Sequence, residues 1–226
     1  MKILITGTSK GIGKALASYF INKGHFVYGI DILDSCIDND NYEHFNLDIR
    51  SNNLPDLEDL DIIINNAGLQ NSEDDIDNNL KGTINVTEKY INSPNLKSIL
   101  FNASASSITG SEFSLYCASK AGIVGYMKNI AIKLASRKIT VNALSLGGVI
   151  TESNDCVIKD EELFKKIMDV TPMKKWMDVE EVCEWCYFLT VINKSMTGEN
   201  VLVDNGEAKL NQHFRSEEHT SELQSR

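Results

Sequence analysis

The chain opens with the apolar run Lys2-Ile3-Leu4-Ile5-Thr6, which leads straight into Gly7-Thr8-Ser9-Lys10-Gly11-Ile12-Gly13. Gly7 permits a tight turn, and Gly11 and Gly13 let the backbone and the following helix come close to a pyrophosphate. The amides and the dipole at the start of that helix attract such an anion. The stretch therefore predicts a strand, a phosphate-binding loop (residues 6–13) and a helix.

Apolar strand-like runs and helical patterns alternate over the first 210 residues. Strands are predicted at 2–6, 26–31, 44–47, 61–65, 98–102, 140–146 and 200–203, and helices at 11–23, 75–91, 114–137, 160–169 and 179–191. Alternation of this kind with almost continuously apolar strands is typical of a parallel sheet covered on both faces. We predict an α/β fold, a Rossmann-like doubly wound parallel sheet in a single dinucleotide-binding domain of residues 1–210. Residues 211–226 lack apolar periodicity and are predicted to be a non-native or disordered tail.

The connections after the second and third predicted strands are short. Sixteen residues separate Asp31 from Asp48, and sixteen separate Asp48 from Asn65. A crossover helix with its turns barely fits into a gap of that length. We therefore expect shortened or missing helices after strands 2 and 3.

The composition excludes several classes of protein. The net charge of −10 and the pI of about 4.9 leave no basic face for nucleic acid. No apolar run reaches the roughly 18–20 residues of a membrane span, and no signal-peptide pattern precedes the first strand. Five scattered cysteines, including Cys183 and Cys186, favour reduced thiols in a cytoplasmic protein. No His, Cys and Asp cluster has metal-ligand spacing, so no metal is expected.

The acid that ends the second strand bears on the choice of dinucleotide. Asp31 lies 24 residues after Gly7, where it can accept hydrogen bonds from the adenosine ribose hydroxyls and repel a 2′-phosphate. Lys10 argues the other way, because a base in the loop attracts a phosphate. We predict NAD, with NADP as the alternative.

A tyrosine and a lysine in the segment Tyr116-Cys117-Ala118-Ser119-Lys120 lie one turn apart on one face of a predicted helix. A nearby ammonium favours the phenolate and lowers a phenol pKa that starts near ~10. The pair is thus suited to proton transfer near neutral pH.

Three motifs together resemble the short-chain dehydrogenase/reductase family: Gly-x-x-x-Gly-x-Gly from Gly7, Asn65-Asn66-Ala67-Gly68 after the fourth strand, and Tyr116…Lys120. The resemblance runs from Lys2 to about Ala208. It implies hydride transfer between a nicotinamide cofactor and an alcohol or ketone. It also implies Tyr116 as the acid/base and Lys120 as the ligand of the nicotinamide ribose. Asn79, with Asn78 as the alternative, would anchor a water in the proton relay.

The residue that matches the family's catalytic serine depends on which neighbouring motif the count starts from. Counting forward from Asn102 reaches Ala105, whereas counting back from Thr109-Gly110-Ser111 reaches Ser104, twelve residues before Tyr116. A one-residue deletion reconciles the two counts. We assign Ser104, with Ser106 second, although these hydroxyls can also cap a turn.

Further cofactor contacts follow from the resemblance. Asp48, with Ile49 beside it, would meet the adenine, and the segment after the sixth strand would meet the nicotinamide carboxamide. The full set of predicted cofactor contacts is Gly7, Ser9, Lys10, Gly11, Ile12, Gly13, Asp31, Asp48, Ile49, Asn66, Ala67, Gly68, Tyr116, Lys120, Gly147, Val149 and Thr151.

The sequence indicates only the class of substrate. Residues 152–173 match the family's substrate lid, with an apolar face that suits a small-molecule alcohol or ketone. An NADPH-dependent 3-oxoacyl-thioester reductase and a non-catalytic dinucleotide-sensing protein are the alternatives. Family members pair the helices that carry Asn79 and Tyr116, so we expect a homodimer or homotetramer.

Overall fold

A computed structural model of the chain describes residues 1–111 and 113–210; the predicted tail at 211–226 lies outside them. Seven parallel strands form one sheet in the order β3-β2-β1-β4-β5-β6-β7. Their bounds are Lys2–Thr6 (β1), Phe26–Asp31 (β2), Tyr42–Asn46 (β3), Ile62–Asn65 (β4), Ser98–Asn102 (β5), Thr140–Leu146 (β6) and Asn200–Val203 (β7). Every residue of β4, β5 and β6 is buried, as expected for the centre of a parallel sheet.

The strand order reverses between β1 and β4, because the chain builds β2 and β3 on one side of β1 and the later strands on the other. Ligands of open α/β sheets bind in the crevice at such a switch point, outside the carboxyl ends of the strands. The phosphate-binding loop leaves β1 at this crevice, and Asn66 follows β4 there. The topology thus brings separate predicted site segments to one edge of the sheet.

Helices cover both faces of the sheet. They are Gly11–Asn22 (α1), Thr83–Tyr90 (α2), Ser106–Thr109 (α3), Ser114–Leu134 (α4), Asp155–Ile158 (α5), Glu161–Val170 (α6) and Val179–Tyr187 (α7), with 3-10 turns at Ala135–Arg137 and Glu152–Asn154. One buried core includes side chains of α2 and α4, and the other includes side chains of α1 and α7. The predicted doubly wound α/β fold is therefore confirmed.

The described chain has no helix between β2 and β3 or between β3 and β4, which confirms the expected shortening. Long-range hydrogen bonds hold these connections instead. The Tyr42 hydroxyl donates to Thr8 Oγ1 at 2.8 Å, and the Tyr90 hydroxyl donates to the Pro55 carbonyl at 2.7 Å. Strand β3 begins at Tyr42 rather than at residue 44, because Tyr42 pairs with Val27 at the edge of the sheet.

The helix predicted at 75–91 is present as one helical run from Ile76 to Tyr90, but it is not α-helical throughout. A π-helix at Ile76–Gly82 precedes α2, and a second π-helix at Phe188–Ile192 extends α7. Wider turns of this kind are frequent at functional sites, and the first one carries Asn79. Within residues 1–111 and 113–210, no helix is both long and apolar enough to cross a membrane.

Candidate active site

The phosphate-binding loop has the geometry that its glycines predict. Gly7 adopts a φ of 77°, and a Cβ atom there would lie 2.9 Å from Cα of Ala67. A Cβ atom on Gly13 would overlap the carbonyl oxygen of Gly7. The first turn of α1 contains no acidic residue and has no side-chain cap. Its amides therefore fit the pyrophosphate of a dinucleotide.

Asp31 lies beside this loop at the end of β2. Its carboxylate accepts hydrogen bonds from the Ser9 amide at 2.9 Å and from the Leu33 amide at 3.0 Å. An ionised carboxylate has about four lone-pair sites, so Asp31 can also accept from ribose hydroxyls. Lys10 is exposed on the same loop.

Asn66 joins the ends of three strands. Thr6 Oγ1 accepts from the amides of Asn66 and Ala67 at 3.0 Å each, and Asn66 Nδ2 donates to the Thr6 carbonyl at 2.9 Å. Asn102 Nδ2 donates to Asn66 Oδ1 at 2.7 Å. Sequence reasoning missed the roles of Thr6 and Asn102, although both are polar residues that end predicted strands at this edge.

Asp48 and Ile49, the two residues predicted to meet the adenine, have different surroundings. Asp48 forms an ion pair with Arg50 at 2.7 Å, and the Arg50 guanidinium holds the pKa of Asp48 below its usual range. The side chain of Ile49 is buried in the core, close to Gly82. The Ile49 carbonyl accepts a hydrogen bond from Asn85 Nδ2 at 2.8 Å. Neither this contact nor the partner of Asp48 was predicted from the sequence.

Tyr116 and Lys120 lie one turn apart on α4. Lys120 Nζ is 5.7 Å from the centroid of the Tyr116 ring. The Lys120 side chain is buried and donates to the Asn102 carbonyl at 2.9 Å. Burial lowers the pKa of Lys120 to about 8, while the charge of Asp75 acts in the opposite direction. The lysine thus places a titratable cation beneath the phenol ring.

Asn79 closes the same site from the π-helix. Its Oδ1 accepts from the Leu69 amide at 2.7 Å, and its Nδ2 donates to the Leu69 carbonyl at 2.8 Å and to Ser119 Oγ at 3.1 Å. A Cβ atom on Gly68 would lie 3.3 Å from Asn79 Oδ1 and 3.4 Å from Lys120 Nζ. Gly68 therefore lies between the asparagine and the lysine, and the Asn79 side chain fixes the chain beside it. Asn78, the alternative, donates to Asn79 Oδ1 at 3.1 Å.

Both candidate serines are buried at the end of β5 and interact with each other. The Ser104 hydroxyl donates to Ser106 Oγ at 3.1 Å and accepts from the Ser106 amide at 3.2 Å. The turn-capping contact is therefore made by Ser104, the residue assigned to catalysis. Since the two hydroxyls are neighbours, both remain candidates for the substrate oxygen.

The segment after β6 is held at several points. The Gly147 amide donates to the Val203 carbonyl at 3.0 Å, and a Cβ atom on Gly147 would lie 2.7 Å from Cβ of Asp204. Val149 is buried, and its carbonyl accepts from Asn154 Nδ2 at 2.8 Å. Thr151 lies two residues further on and is partly exposed. The segment leads into the predicted lid.

The predicted lid consists of short helices that stand away from the core. No residue of α6 is buried, and Leu163 is 40% exposed. Its contact with the rest of the chain includes Phe164, whose ring packs edge-on against Trp176 at 5.3 Å between centroids. Trp176 in turn covers Gly148, where a Cβ atom would overlap the indole ring.

Cysteines and metal ligands form no second site in the described part of the chain. Cys183 and Cys186 are buried on α7, and burial raises the pKa of the Cys183 thiol to about 12. No group of three or more His, Cys, Asp or Glu side chains among residues 1–111 and 113–210 is arranged to hold a metal ion.

Comparisons with known proteins identify the family of the chain. A family model described as enoyl-(acyl carrier protein) reductase matches residues 54–207, which is more than half of the chain. The chain belongs to the short-chain dehydrogenase/reductase family. It is an NAD(P)-dependent oxidoreductase that transfers a hydride between a nicotinamide cofactor and an alcohol or ketone.

Three known proteins that this chain resembles share less than a third of its residues. The 3-oxoacyl-[acyl-carrier-protein] reductase FabG of Buchnera aphidicola subsp. Acyrthosiphon pisum is 29% identical over 89% of this chain and 95% of its own. A short chain dehydrogenase family protein from Francisella tularensis is 27% identical, with a TM-score of 0.81 over 92% of this chain and 99% of its own. A 4-hydroxyisoleucine dehydrogenase mutant complexed with NADH and succinate has a TM-score of 0.82 at 22% identity, over 94% and 100%. That last likeness shows the fold alone.

Proposed function

We propose that this member of the family is an NAD-preferring alcohol dehydrogenase or ketone reductase whose site consists of Ser104, Tyr116, Lys120 and Asn79. The observation that carries the proposal is the buried ammonium of Lys120 beneath the Tyr116 ring, anchored to the Asn102 carbonyl. Burying an ammonium costs free energy that a purely structural lysine does not recover. A site that needs a cation beside a phenol explains its presence.

Each residue has a distinct task. Bound NAD supplies the hydride donor or acceptor. In reduction the Tyr116 hydroxyl gives a proton to the substrate oxygen, and in oxidation the Tyr116 phenolate takes one from the alcohol. The Lys120 ammonium stabilises the phenolate in both directions. Ser104 donates a hydrogen bond to the same oxygen. Lys120 also offers donors to ribose hydroxyls, and Asn79 connects the site to solvent through water.

The cofactor preference rests on Asp31. Its carboxylate is fixed by the amides of Ser9 and Leu33, so it stays beside the loop where the adenosine ribose binds. A fixed negative charge there repels a 2′-phosphate. The remaining predicted contacts, from the phosphate-binding loop to Gly147, Val149 and Thr151, line the same crevice within one domain of residues 1–210.

The substrate class is a small alcohol or ketone. The partly exposed apolar side chains of α6 and of Met173 favour an apolar substrate surface. A second candidate is a 3-oxoacyl-thioester reductase, which the 29% identity to the Buchnera aphidicola reductase favours. Its need for NADPH is at odds with Asp31.

Assembly into a homodimer or homotetramer and a cytoplasmic location complete the proposal. The exposed Gly125 on α4 has no atom within 4 Å of its Cβ position, so a second helix can approach closely there. Gly122, by contrast, packs against Leu80 within the chain. Light scattering tests the assembly, and a monomeric mass contradicts it.

Replacement of Tyr116 tests the chemistry. Tyr116→Phe should lower kcat by about a thousandfold or more, because general acid–base catalysis contributes 10²–10⁴, while NADH binding measured by fluorescence stays within twofold. Tyr126→Phe is the matched control, since the Tyr126 hydroxyl on the same helix donates to Glu88 at 2.9 Å near the surface. Activity that survives in Tyr116→Phe contradicts the assignment.

A substrate screen separates the two candidate functions. Alcohols and ketones with NAD(H) are compared with a 3-oxoacyl thioester and NADPH, at equal protein concentration. Turnover only in the second assay overturns the preferred substrate and cofactor. Absence of turnover in both assays, with NADH still bound, favours a dinucleotide-sensing protein.

A further inference from the structure

Asp75 is a buried acid that no step of the proposed mechanism uses. Its side chain is fully buried, and neither carboxylate oxygen accepts a hydrogen bond from the described residues. Burying an acid without a hydrogen-bond partner is costly even after the protein relaxes around it. A feature with that cost calls for a functional reason.

The position of Asp75 connects it to the catalytic groups. It lies four residues before Asn79 on the same helical run, so the two side chains share a face. Asn79 and Lys120 both lie against Gly68. Lys120 Nζ has three donors, of which one binds the Asn102 carbonyl. Asp75 therefore lies one turn from the asparagine that packs beside Lys120, a cation with donors to spare.

The other charges near Asp75 face elsewhere. Asp74 contacts Arg50 at 3.3 Å, and Asp77 contacts Lys81 at 2.6 Å, and all four groups are largely exposed. On α4, which packs against the π-helix, Tyr116 and Lys120 are the titratable groups of the site. The charge of Asp75 raises the pKa of Lys120, against the larger effect of burial.

We propose that Asp75 is the buried counter-charge of Lys120 and serves as a positioning residue for the acid–base couple. The carboxylate opposes the effect of burial, so that Lys120 remains an ammonium where Tyr116 needs one. The two groups form no direct ion pair within 4 Å among the described residues, so the coupling acts through space or through a bridging water. This inference rests on the proposed function, in which Lys120 assists Tyr116.

The test measures Lys120 directly in the cofactor-free protein. Lysine side chains are labelled with ¹³C and ¹⁵N, the Lys120 signal is assigned with Lys120→Arg, and its titration is followed by NMR. In Asp75→Asn the Lys120 midpoint should fall by on the order of one pH unit, because a nearby opposite charge has been removed. Asp77→Asn removes the same charge from the surface of the same helix and should leave the midpoint unchanged.

A second variant and a second measurement keep the outcomes separate. Asp75→Ser also lacks the charge and replaces Asp75→Asn if that variant does not fold. With cofactor and substrate, the pH profile of kcat should move in the same direction as the Lys120 midpoint. An unmoved Lys120 midpoint in folded Asp75→Asn or Asp75→Ser overturns the inference. Activity that survives in Tyr116→Phe overturns the proposed function instead, and leaves the titration result standing.

Discussion

Two regions of the crevice lie at the same edge of the sheet but differ in how their polar groups are bonded. The phosphate end comprises residues 6–13 and Asp31, and the catalytic end comprises the surroundings of Lys120. At the phosphate end, Asp31 accepts from the amides of Ser9 and Leu33, and the side chains of Thr6 and Asn66 bond to backbone groups across the strand ends. At the catalytic end, Lys120 is buried, and the Asp75 carboxylate and Asn102 Oδ1 have no hydrogen-bond partner among the described residues.

The difference shows how stability and chemistry are divided along one edge. Glycines and backbone amides make the phosphate end rigid without burying a charge. The catalytic end holds buried polar groups whose hydrogen-bonding capacity is not used among the described residues, which costs stability but keeps them available to ligands. The contrast predicts that substitutions at the two ends will separate binding and folding from turnover.

The largest expected effect concerns the pH dependence of stability. The pKa of Lys120 is about 8 in the folded protein and 10.5 ordinarily. Between these values the unfolded chain holds more protons, so the free energy of unfolding should rise with pH, by on the order of 3 kcal/mol. The double variant Lys120→Met with Asp75→Leu should lack this rise. Denaturant unfolding from pH 7.5 to 10.5 measures it, and parallel curves for the two proteins contradict it.

The neighbouring serines test the catalytic end directly. Ser104→Ala should lower kcat about a hundredfold, because the loss of one donor to a developing oxyanion costs 10²–10³. Ser106→Ala should lower it less than tenfold, and NADH affinity should be unchanged in both variants. Steady-state kinetics at saturating cofactor distinguish them. A larger loss in Ser106→Ala transfers the role to Ser106.

Adding a methyl group tests the rigidity of the phosphate end. Gly13→Ala should lower the free energy of unfolding by about 2 kcal/mol, since its Cβ atom overlaps the Gly7 carbonyl. Gly125→Ala is the matched control on α4, where no atom lies within 4 Å. In the monomer it should raise the free energy of unfolding by about 0.5 kcal/mol through helix propensity, so both variants are compared at a dilution at which light scattering gives a monomeric mass. Equal effects of the two substitutions exclude close packing at Gly13.

The smallest expected effect concerns cofactor choice. Asp31→Asn should shift the ratio of the NADH and NADPH dissociation constants towards NADPH about tenfold, near 1.4 kcal/mol. The fixed negative charge disappears while an amide oxygen remains as acceptor. Asp34→Asn removes an exposed acid three residues later and should leave the ratio unchanged. Fluorescence titrations measure both constants, and a constant ratio in Asp31→Asn argues against NAD selection by this residue.

The sequence alone determined the parts of the fold that depend on neighbours along the chain. The glycine spacing from Gly7 to Gly13, the buried strands and the one-turn spacing of Tyr116 and Lys120 follow from local sterics and periodicity. The absence of helices after β2 and β3 follows from chain length. These features needed no information from distant segments.

Only the tertiary structure decided the contacts of groups whose partners are far away in sequence. The π-helix around Asn79 is stabilised by bonds to Leu69 and Ser119, the latter forty residues away. The anchor of Lys120 on Asn102 and the burial of Asp75 arise where separate segments meet at the sheet edge. Burial and hydrogen bonding depend on which segments pack together, and no local pattern records that.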